Sequence, residues 1–204
     1  MITAILIIAR KLRRGAFCVV VISASALLGC SSARNASVSV TPESSLRDQP
    51  VHIVISGLDP EGTVTVGLRS ADALGHAWTS HAVFRSNGSG EVDLASAPAV
   101  SGSYRGVDPM GLIDTLQPAS GQSTLYYWDV RAPQRFQVTV TGNGSAVAVG
   151  EFSREGAAPG VAVTDESIAA TGFFGQFWRP PPGSPPGPAV LEFGGSEADW
   201  TASC

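Results

Sequence analysis

The sequence predicts a mainly β protein built around an immunoglobulin-like antiparallel β-sandwich. Three observations predict this fold class. The 204 residues include 23 Gly and 14 Pro, and only 15% are charged, which is typical of loop-rich β domains. Short segments that alternate apolar and polar residues recur along the chain, separated by turn sequences. No segment has the sustained 3.6-residue apolar period of an amphipathic helix.

Strands and turns fill the first half of the predicted sandwich. In residues 50–57, Val51, Ile53 and Ile55 alternate with other residues, so they are expected to share one buried face. Turns are predicted at 59–62 and at 87–90. The first has Pro at its second position and Gly at its fourth, which are the positions that these residues favour in a β-turn. Further strands are predicted at 63–68, 78–85 and 91–94. This spacing fits an immunoglobulin-like sandwich.

A β-hairpin is predicted in the second half of the sandwich. Residues 135–141 and 146–152 alternate, and the segment between them contains Asn143-Gly144. Asn-Gly is the favoured chemistry of a tight hairpin turn. Residues 161–164 form a further strand candidate. The sandwich is therefore expected to span residues 45–153, enough to bury a core of ordinary size.

The first 30 residues predict a targeting segment. A basic cluster from Arg10 to Arg14 precedes an apolar run at 16–28, which is short for a membrane span but has the length of a signal-peptide core. The run ends at Gly29-Cys30, which resembles a bacterial lipoprotein cleavage box. We expect residues 1–29 to be a signal peptide, Cys30 to be lipidated and residues 30–44 to be a tether. The protein would then be lipid-anchored on the extracytoplasmic face of the cell membrane; the alternative is an uncleaved N-terminal anchor.

Charge and cysteine spacing exclude several functions. From Cys30 onward the chain has nine basic and 17 acidic residues, and it contains no Arg cluster. Because this region carries a net negative charge, no nucleic-acid partner is expected. Cys18, Cys30 and Cys204 are scattered and form neither a disulfide framework nor a metal-ligand pattern. No metal site and no cofactor are predicted.

A change of composition marks the end of the sandwich. Residues 154–188 are expected to be a junction, because 179–188 contain six prolines and cannot form a central strand or a helix interior. Residues 189–193 are strand-like and lead into Gly194-Gly195-Ser196. An apolar strand followed by a Gly-Gly turn is typical of the oxyanion loop of an α/β-hydrolase. Residues 189–204 are therefore expected to begin an incomplete α/β-hydrolase domain.

Two sequence runs resemble a known family. Residues 80–94 (SHAVFRSNGSGEVDL) and 102–112 (GSYRGVDPMGL) look like the signature of the N-terminal domain of acyl-CoA thioester hydrolases and bile acid-CoA:amino acid N-acyltransferases. The pattern around Tyr104, Asp108 and Gly111 is the most specific part, and the resemblance covers about residues 45–197. We expect Tyr104, Met110 and Leu112 to be packing and turn residues.

The resemblance implies thioester cleavage or acyl transfer from CoA. In that family a Ser or Cys nucleophile on a strand-to-helix elbow is followed by an Asp and then a His. None of these is expected in this chain. His52, His76 and His81 lie in or beside sandwich strands and are interpreted as surface or core residues. Gly194, Gly195 and Ser196 are interpreted as a remnant of the oxyanion loop, although Ala198 and Asp199 depart from the family's glycine-rich continuation.

Two functions of different classes remain open at this point. In the first, the chain is the N-terminal domain of a thioester hydrolase or acyltransferase, inactive by itself for lack of the triad. Acyl-CoA or a related thioester would be a partner only with the catalytic domain present. In the second, the sandwich is a lipid-anchored, non-catalytic binding module at the cell surface, whose membrane contact is made through Cys30.

Overall fold

The computed structural model describes residues 35–122 and 124–192. The predictions for residues 1–34 and 193–204 lie outside the described residues; they include Cys30, Gly194, Gly195, Ser196 and Cys204. Within the described part the structure is mainly β, as predicted, with two helices of four residues each. None of the described helices is long and apolar enough to cross a membrane.

The smaller sheet of the sandwich has three antiparallel strands in the order β1-β3-β6. These strands are Ser37–Thr41 (β1), His52–Ser56 (β3) and Val92–Asp93 (β6). In β3, Ile53 and Ile55 are 2% and 0% exposed. The residue before them, His52, is exposed to solvent. The predicted shared face of Val51, Ile53 and Ile55 is confirmed, because alternate residues of a strand point to opposite sides.

The larger sheet has the strand order β2-β10-β9-β4-β5-β7, and β8 also pairs with β5. Its strands are Ser44–Leu46 (β2), Thr63–Ala71 (β4), Ala77–Arg85 (β5), Ser101–Gly102 (β7), Gln117–Pro118 (β8), Gln134–Gly142 (β9) and Ser145–Glu155 (β10). All pairs are antiparallel except β2 with β10, which is parallel.

One hydrophobic core joins the two sheets. It is formed by the inward-facing residues of both sheets together with Leu112 from helix α1 (Gly111–Asp114). The most deeply buried of its larger side chains are Phe84, Ile53, Ile55, Leu68, Leu94 and Leu112. Apolar residues from facing sheets interdigitate in this way in a β-sandwich.

The hairpin between β9 and β10 forms as predicted. Gly142 pairs with Ser145, and the two turn residues Asn143 and Gly144 have φ angles of 50° and 79°. Positive φ at both central residues defines the turn type that matches the twist of the flanking strands, which explains the Asn-Gly sequence.

The predicted tether over 30–44 is wrong from Ser37 onward. Strand β1 occupies Ser37–Thr41, pairs with β3 along its full length, and buries Val40 to 8% exposure. The physical reason is the alternation of Val38 and Val40 with serines, which gives this polar segment one apolar face. The sandwich therefore begins before residue 45, and it ends with β10 at Glu155.

A separate two-stranded sheet lies within the predicted junction 154–188. Its strands are Ala162–Glu166 (β11) and Gly175–Arg179 (β12), joined through helix α2 (Ile168–Thr171). The proposed strand at 189–193 does not form over its described part: residues 189–192 pair with no strand, and Val190 and Leu191 are 90% and 77% exposed. An extended segment becomes a strand only beside a neighbour that accepts and donates its backbone hydrogen bonds.

Candidate functional site

The signature run 102–112 forms an ordered loop from β7 into α1. The Asp108 Oδ1 atom accepts a hydrogen bond of 3.0 Å from the Met110 backbone N–H, and Gly111 N–H donates to the Asp108 carbonyl at 3.2 Å. A short Asp side chain can mimic a backbone turn in this way. Asp108-Pro109 therefore sets the turn that starts the helix.

The packing of Tyr104 explains why residue 111 of this signature is a glycine. Its ring meets Phe84 edge-on, with 6.5 Å between centroids and 67° between planes. A Cβ atom on Gly111 would lie 2.6 Å from the Tyr104 ring, so only glycine allows this close packing. The other signature run contributes Ser80, whose hydroxyl donates to the Leu112 carbonyl at 2.5 Å. The two runs thus meet at one place in the fold.

Within this loop, the Tyr104 hydroxyl has the most strongly shifted pKa. It is buried and has no hydrogen-bond partner among the described residues. Burial, together with the negative charge of Asp108, raises the pKa of Tyr104 to about 12. The hydroxyl is therefore protonated at neutral pH. The interpretation of Tyr104, Met110 and Leu112 as packing and turn residues is confirmed.

A second polar cluster surrounds Asp72, which the sequence prediction missed. The carboxylate is inaccessible to solvent. Its Oδ1 accepts from the backbone N–H groups of Leu74 at 3.0 Å and His76 at 2.8 Å. Its Oδ2 contacts His76 Nδ1 at 3.0 Å and accepts from Trp78 Nε1 at 3.3 Å. Burial alone would raise the pKa of Asp72, but the hydrogen bonds from His76, Trp78 and Leu74 outweigh it and the pKa is lowered.

The Asp72–His76 pair resembles half of a hydrolase triad, in which a buried carboxylate orients a histidine. The chemistry also needs a nucleophile beside that histidine. In the described part of the chain, no hydrogen bond joins His76 to a hydroxyl or thiol. The pair instead fixes the turn between β4 and β5. The only signal in the sequence is the spacing D-x-x-x-H-x-W, which is too short and too common to identify such a cluster.

The other histidines have separate surroundings. His52 Nε2 lies 2.7 Å from Asp93 Oδ1, in a pair that solvent reaches. The hydrogen bonds from Ala95 N–H and then from His52 hold the pKa of Asp93 below its usual value. The His81 backbone N–H donates to the Ser103 hydroxyl. Among the described residues, no three His, Cys, Asp or Glu side chains are grouped to hold a metal ion.

Two shallow clefts lie on the described surface. The first, of about 310 Å³, is lined by Leu46, Arg47, Asp48, Glu155, Gly156, Ala157, Ala158, Val161 and Trp178. The second, of about 240 Å³, is lined by Ala71, Asp72, Ala73, Tyr127, Trp128, Asp129, Ala132, Pro133, Gln134 and Arg135. Neither lining includes a Ser, Thr, Cys or His, so neither holds the nucleophile and base of a thioester hydrolase.

Residues 48–167, more than half of the chain, match the family model for the Acyl-CoA thioester hydrolase/BAAT N-terminal region. Rat acyl-coenzyme A thioesterase 2, mitochondrial, is 35% identical over 181 residues, which cover 83% of this chain and 39% of the relative.

Two mouse proteins are similar to the same degree. Acyl-coenzyme A thioesterase 3 is 35% identical over 74% of this chain and 35% of its own length. Peroxisomal succinyl-coenzyme A thioesterase is 33% identical over 77% of this chain and 38% of its own length. The chain therefore spans well under half the length of these relatives. The matched residues include both signature runs and the sandwich strands from β3 to β10, but not β1 and β2. The chain belongs to the acyl-CoA thioester hydrolase/bile acid-CoA:amino acid N-acyltransferase family, of which it contains the N-terminal region.

Proposed function

We propose that this chain supplies the accessory β-sandwich of an enzyme that hydrolyses acyl-CoA thioesters, and that catalysis requires an α/β-hydrolase domain joined to it. The observation that carries the proposal is the packing of the family signature. Tyr104, Gly111 and Leu112 stabilise the sandwich, and among the described residues no Ser, Thr or Cys side chain is hydrogen-bonded to a histidine ring. The names of the relatives support acyl-CoA as the substrate class.

The two-stranded sheet of β11 and β12 supports a domain boundary after β10. None of its residues belongs to the buried core of the sandwich. We place the beginning of the hydrolase domain at residues 189–204, with Gly194, Gly195 and Ser196 as the oxyanion loop. In such a domain, backbone N–H groups of the loop would stabilise the oxyanion that forms when the nucleophile attacks the thioester carbonyl. The CoA thiolate then leaves, and water releases the acyl group.

The 204-residue chain is expected to release no CoA thiol from acyl-CoA above the uncatalysed rate, because no Ser, Thr or Cys side chain is hydrogen-bonded to a histidine ring in residues 35–122 and 124–192. The measurement is thiol release on a protein whose folding has been verified by circular dichroism. Saturable hydrolysis that disappears in Ser196→Ala, but persists in the matched control Ser184→Ala, would overturn the proposal.

A second role is favoured by the N-terminal sequence. The basic cluster at Arg10–Arg14, the apolar run and the Gly29-Cys30 pair support attachment of the sandwich to a membrane through lipid on Cys30. Anchored in this way, the sandwich could serve as a binding module at the extracytoplasmic face. Buried apolar acyl carbons supply the binding energy of such an anchor.

Lipidation of Cys30 is expected to be lost in Cys30→Ala and kept in the control Cys204→Ala. Bacteria that express either variant are labelled with an alkyne-bearing fatty acid, and the purified protein is analysed by mass spectrometry of its N-terminal peptide. An unlabelled wild-type protein with its first residues intact contradicts the lipid anchor and leaves the thioester proposal unaffected.

A further inference from the structure

The tripeptide Asn-Gly-Ser occurs twice in the described structure, at 87–89 and at 143–145. In both copies the Asn-Gly pair lies in a turn, and both asparagines are exposed. Asn-Gly is the sequence in which an asparagine side chain is most easily attacked by the next backbone nitrogen, because glycine has no side chain to hinder it. Since the two copies are identical, any difference in their reactivity comes from the fold.

The side chain of Asn87 is held by three hydrogen bonds. Its Oδ1 accepts from the Ser89 backbone N–H at 3.0 Å, from the Ser89 hydroxyl at 2.7 Å and from the Glu91 N–H at 3.0 Å. Its backbone is also fixed, since Asn87 N–H donates to Glu91 O at 2.8 Å and Glu61 N–H donates to Asn87 O at 3.2 Å. The carboxamide therefore cannot turn towards the Gly88 nitrogen without breaking these bonds.

The surroundings of Asn143 are open. It lies at the tip of the β9–β10 hairpin, and among the described residues no hydrogen bond involves its side chain. Apart from Gly144 itself and its two neighbours in the chain, no heavy atom of the described residues lies within 4 Å of the position of a Cβ on Gly144. The tip of a hairpin can open locally with little loss of contact, because it buries almost no apolar surface.

We propose that Asn143 is a site of spontaneous deamidation and that Asn87 is protected. The Gly144 nitrogen bonds to Asn143 Cγ, the bond from Cγ to the side-chain nitrogen breaks, and that nitrogen leaves with the Gly144 proton as ammonia. Water then opens the resulting succinimide at either carbonyl, giving aspartate or isoaspartate. The net reaction consumes one water and releases one ammonia. It adds a negative charge at the tip, and isoaspartate also lengthens the main chain by one carbon.

The test is to incubate the full chain at mildly alkaline pH and to measure both sites by peptide mass spectrometry with fragmentation that separates aspartate from isoaspartate. In the native protein Asn143 is expected to deamidate about tenfold or more faster than Asn87, because opening the Asn87 turn breaks three hydrogen bonds. In the chain unfolded by urea the two rates should become equal. Equal rates in the native protein, or a faster Asn87, would overturn the proposal.

Two serine variants test the cause of the protection. Ser89→Ala removes the hydroxyl that donates to Asn87 and should accelerate deamidation at Asn87 several-fold. Ser145→Ala makes the same change in the other copy, where no such hydrogen bond exists among the described residues, and should leave Asn143 unchanged. If Ser89→Ala has no effect at Asn87, the hydrogen bonds do not protect it and the proposal fails.

Discussion

Replacing Phe84 by alanine is expected to lower the free energy of unfolding by about 3–5 kcal/mol. The Phe84 side chain is 0% exposed, lies near the middle of the core, and supports the Tyr104 ring of the family signature. The substitution removes a buried ring and leaves a cavity that the two sheets cannot fill. Urea denaturation of the wild type and the variant, followed by circular dichroism, measures the loss.

Phe177 offers a matched control for Phe84. It is also a phenylalanine on a β-strand, but it is 50% exposed and lies on β12, outside the core. Phe177→Ala is expected to change the free energy of unfolding by less than about 1 kcal/mol. Should Phe84→Ala prevent folding, Phe84→Leu provides a smaller loss of about 1–2 kcal/mol. Similar losses for Phe84→Ala and Phe177→Ala would contradict the assignment of the core.

Asp72→Asn is expected to cost about 2–3 kcal/mol at neutral pH. The amide oxygen can keep the two backbone hydrogen bonds that Oδ1 accepts. The amide nitrogen, however, would replace Oδ2, which faces the Trp78 indole N–H and the His76 ring. The amide nitrogen and the Trp78 indole nitrogen are both donors, so the variant places two donors against each other in a buried position and leaves the indole N–H without an acceptor.

The difference between wild type and Asp72→Asn should depend on pH. The pKa of Asp72 is lower in the folded protein than its ordinary value of 3.8. The carboxylate therefore adds stability that is fully present above the unfolded-state pKa and is lost as the pH falls through the folded-state pKa. Unfolding measured from neutral pH into acid should show the difference shrinking.

Asp129→Asn serves as the control for this measurement. Asp129 is exposed and its Oδ1 accepts one hydrogen bond, from the Arg131 N–H at 2.9 Å. Its substitution should change stability by less than about 1 kcal/mol, with little dependence on pH. A gap between wild type and Asp72→Asn that stays constant down to acid pH would show that the Asp72 charge contributes nothing to folding.

The alternating strands of the sandwich could be predicted from the sequence because each carries its own pattern. Val64, Val66 and Leu68 face the core as their spacing indicates, and Asn143-Gly144 determines its hairpin through backbone geometry alone. Strand β1 was missed because its apolar face consists of Val38 and Val40 alone, and so short a face becomes significant only beside β3. Strand β12 is a similar case, because its identity as a strand depends on its pairing with β11.

Some of the site residues could be predicted from the sequence and others could not. The packing role of Tyr104 and Leu112 follows from their apolar character, and the structure confirms it. The Asp72 cluster could not be predicted, because its hydrogen bonds require the turn between β4 and β5 to bring Leu74, His76 and Trp78 around one carboxylate. Pairing across a sheet and closure of a turn are properties of the tertiary structure, which a single sequence pattern does not contain.

The ribbon of β11 and β12 has a consequence for the behaviour of the protein in solution. Phe173, Phe174, Phe177 and Trp178 are between 41% and 55% exposed on or beside it, and no charged residue occurs from Ser167 to Trp178. Every buried apolar residue of the sandwich lies between Val40 and Phe152. The buried core of the sandwich therefore contains none of these exposed aromatic side chains. Exposed apolar surface promotes association between molecules, so polar replacements of these aromatic residues are expected to change the solubility of the protein more than the stability of its core.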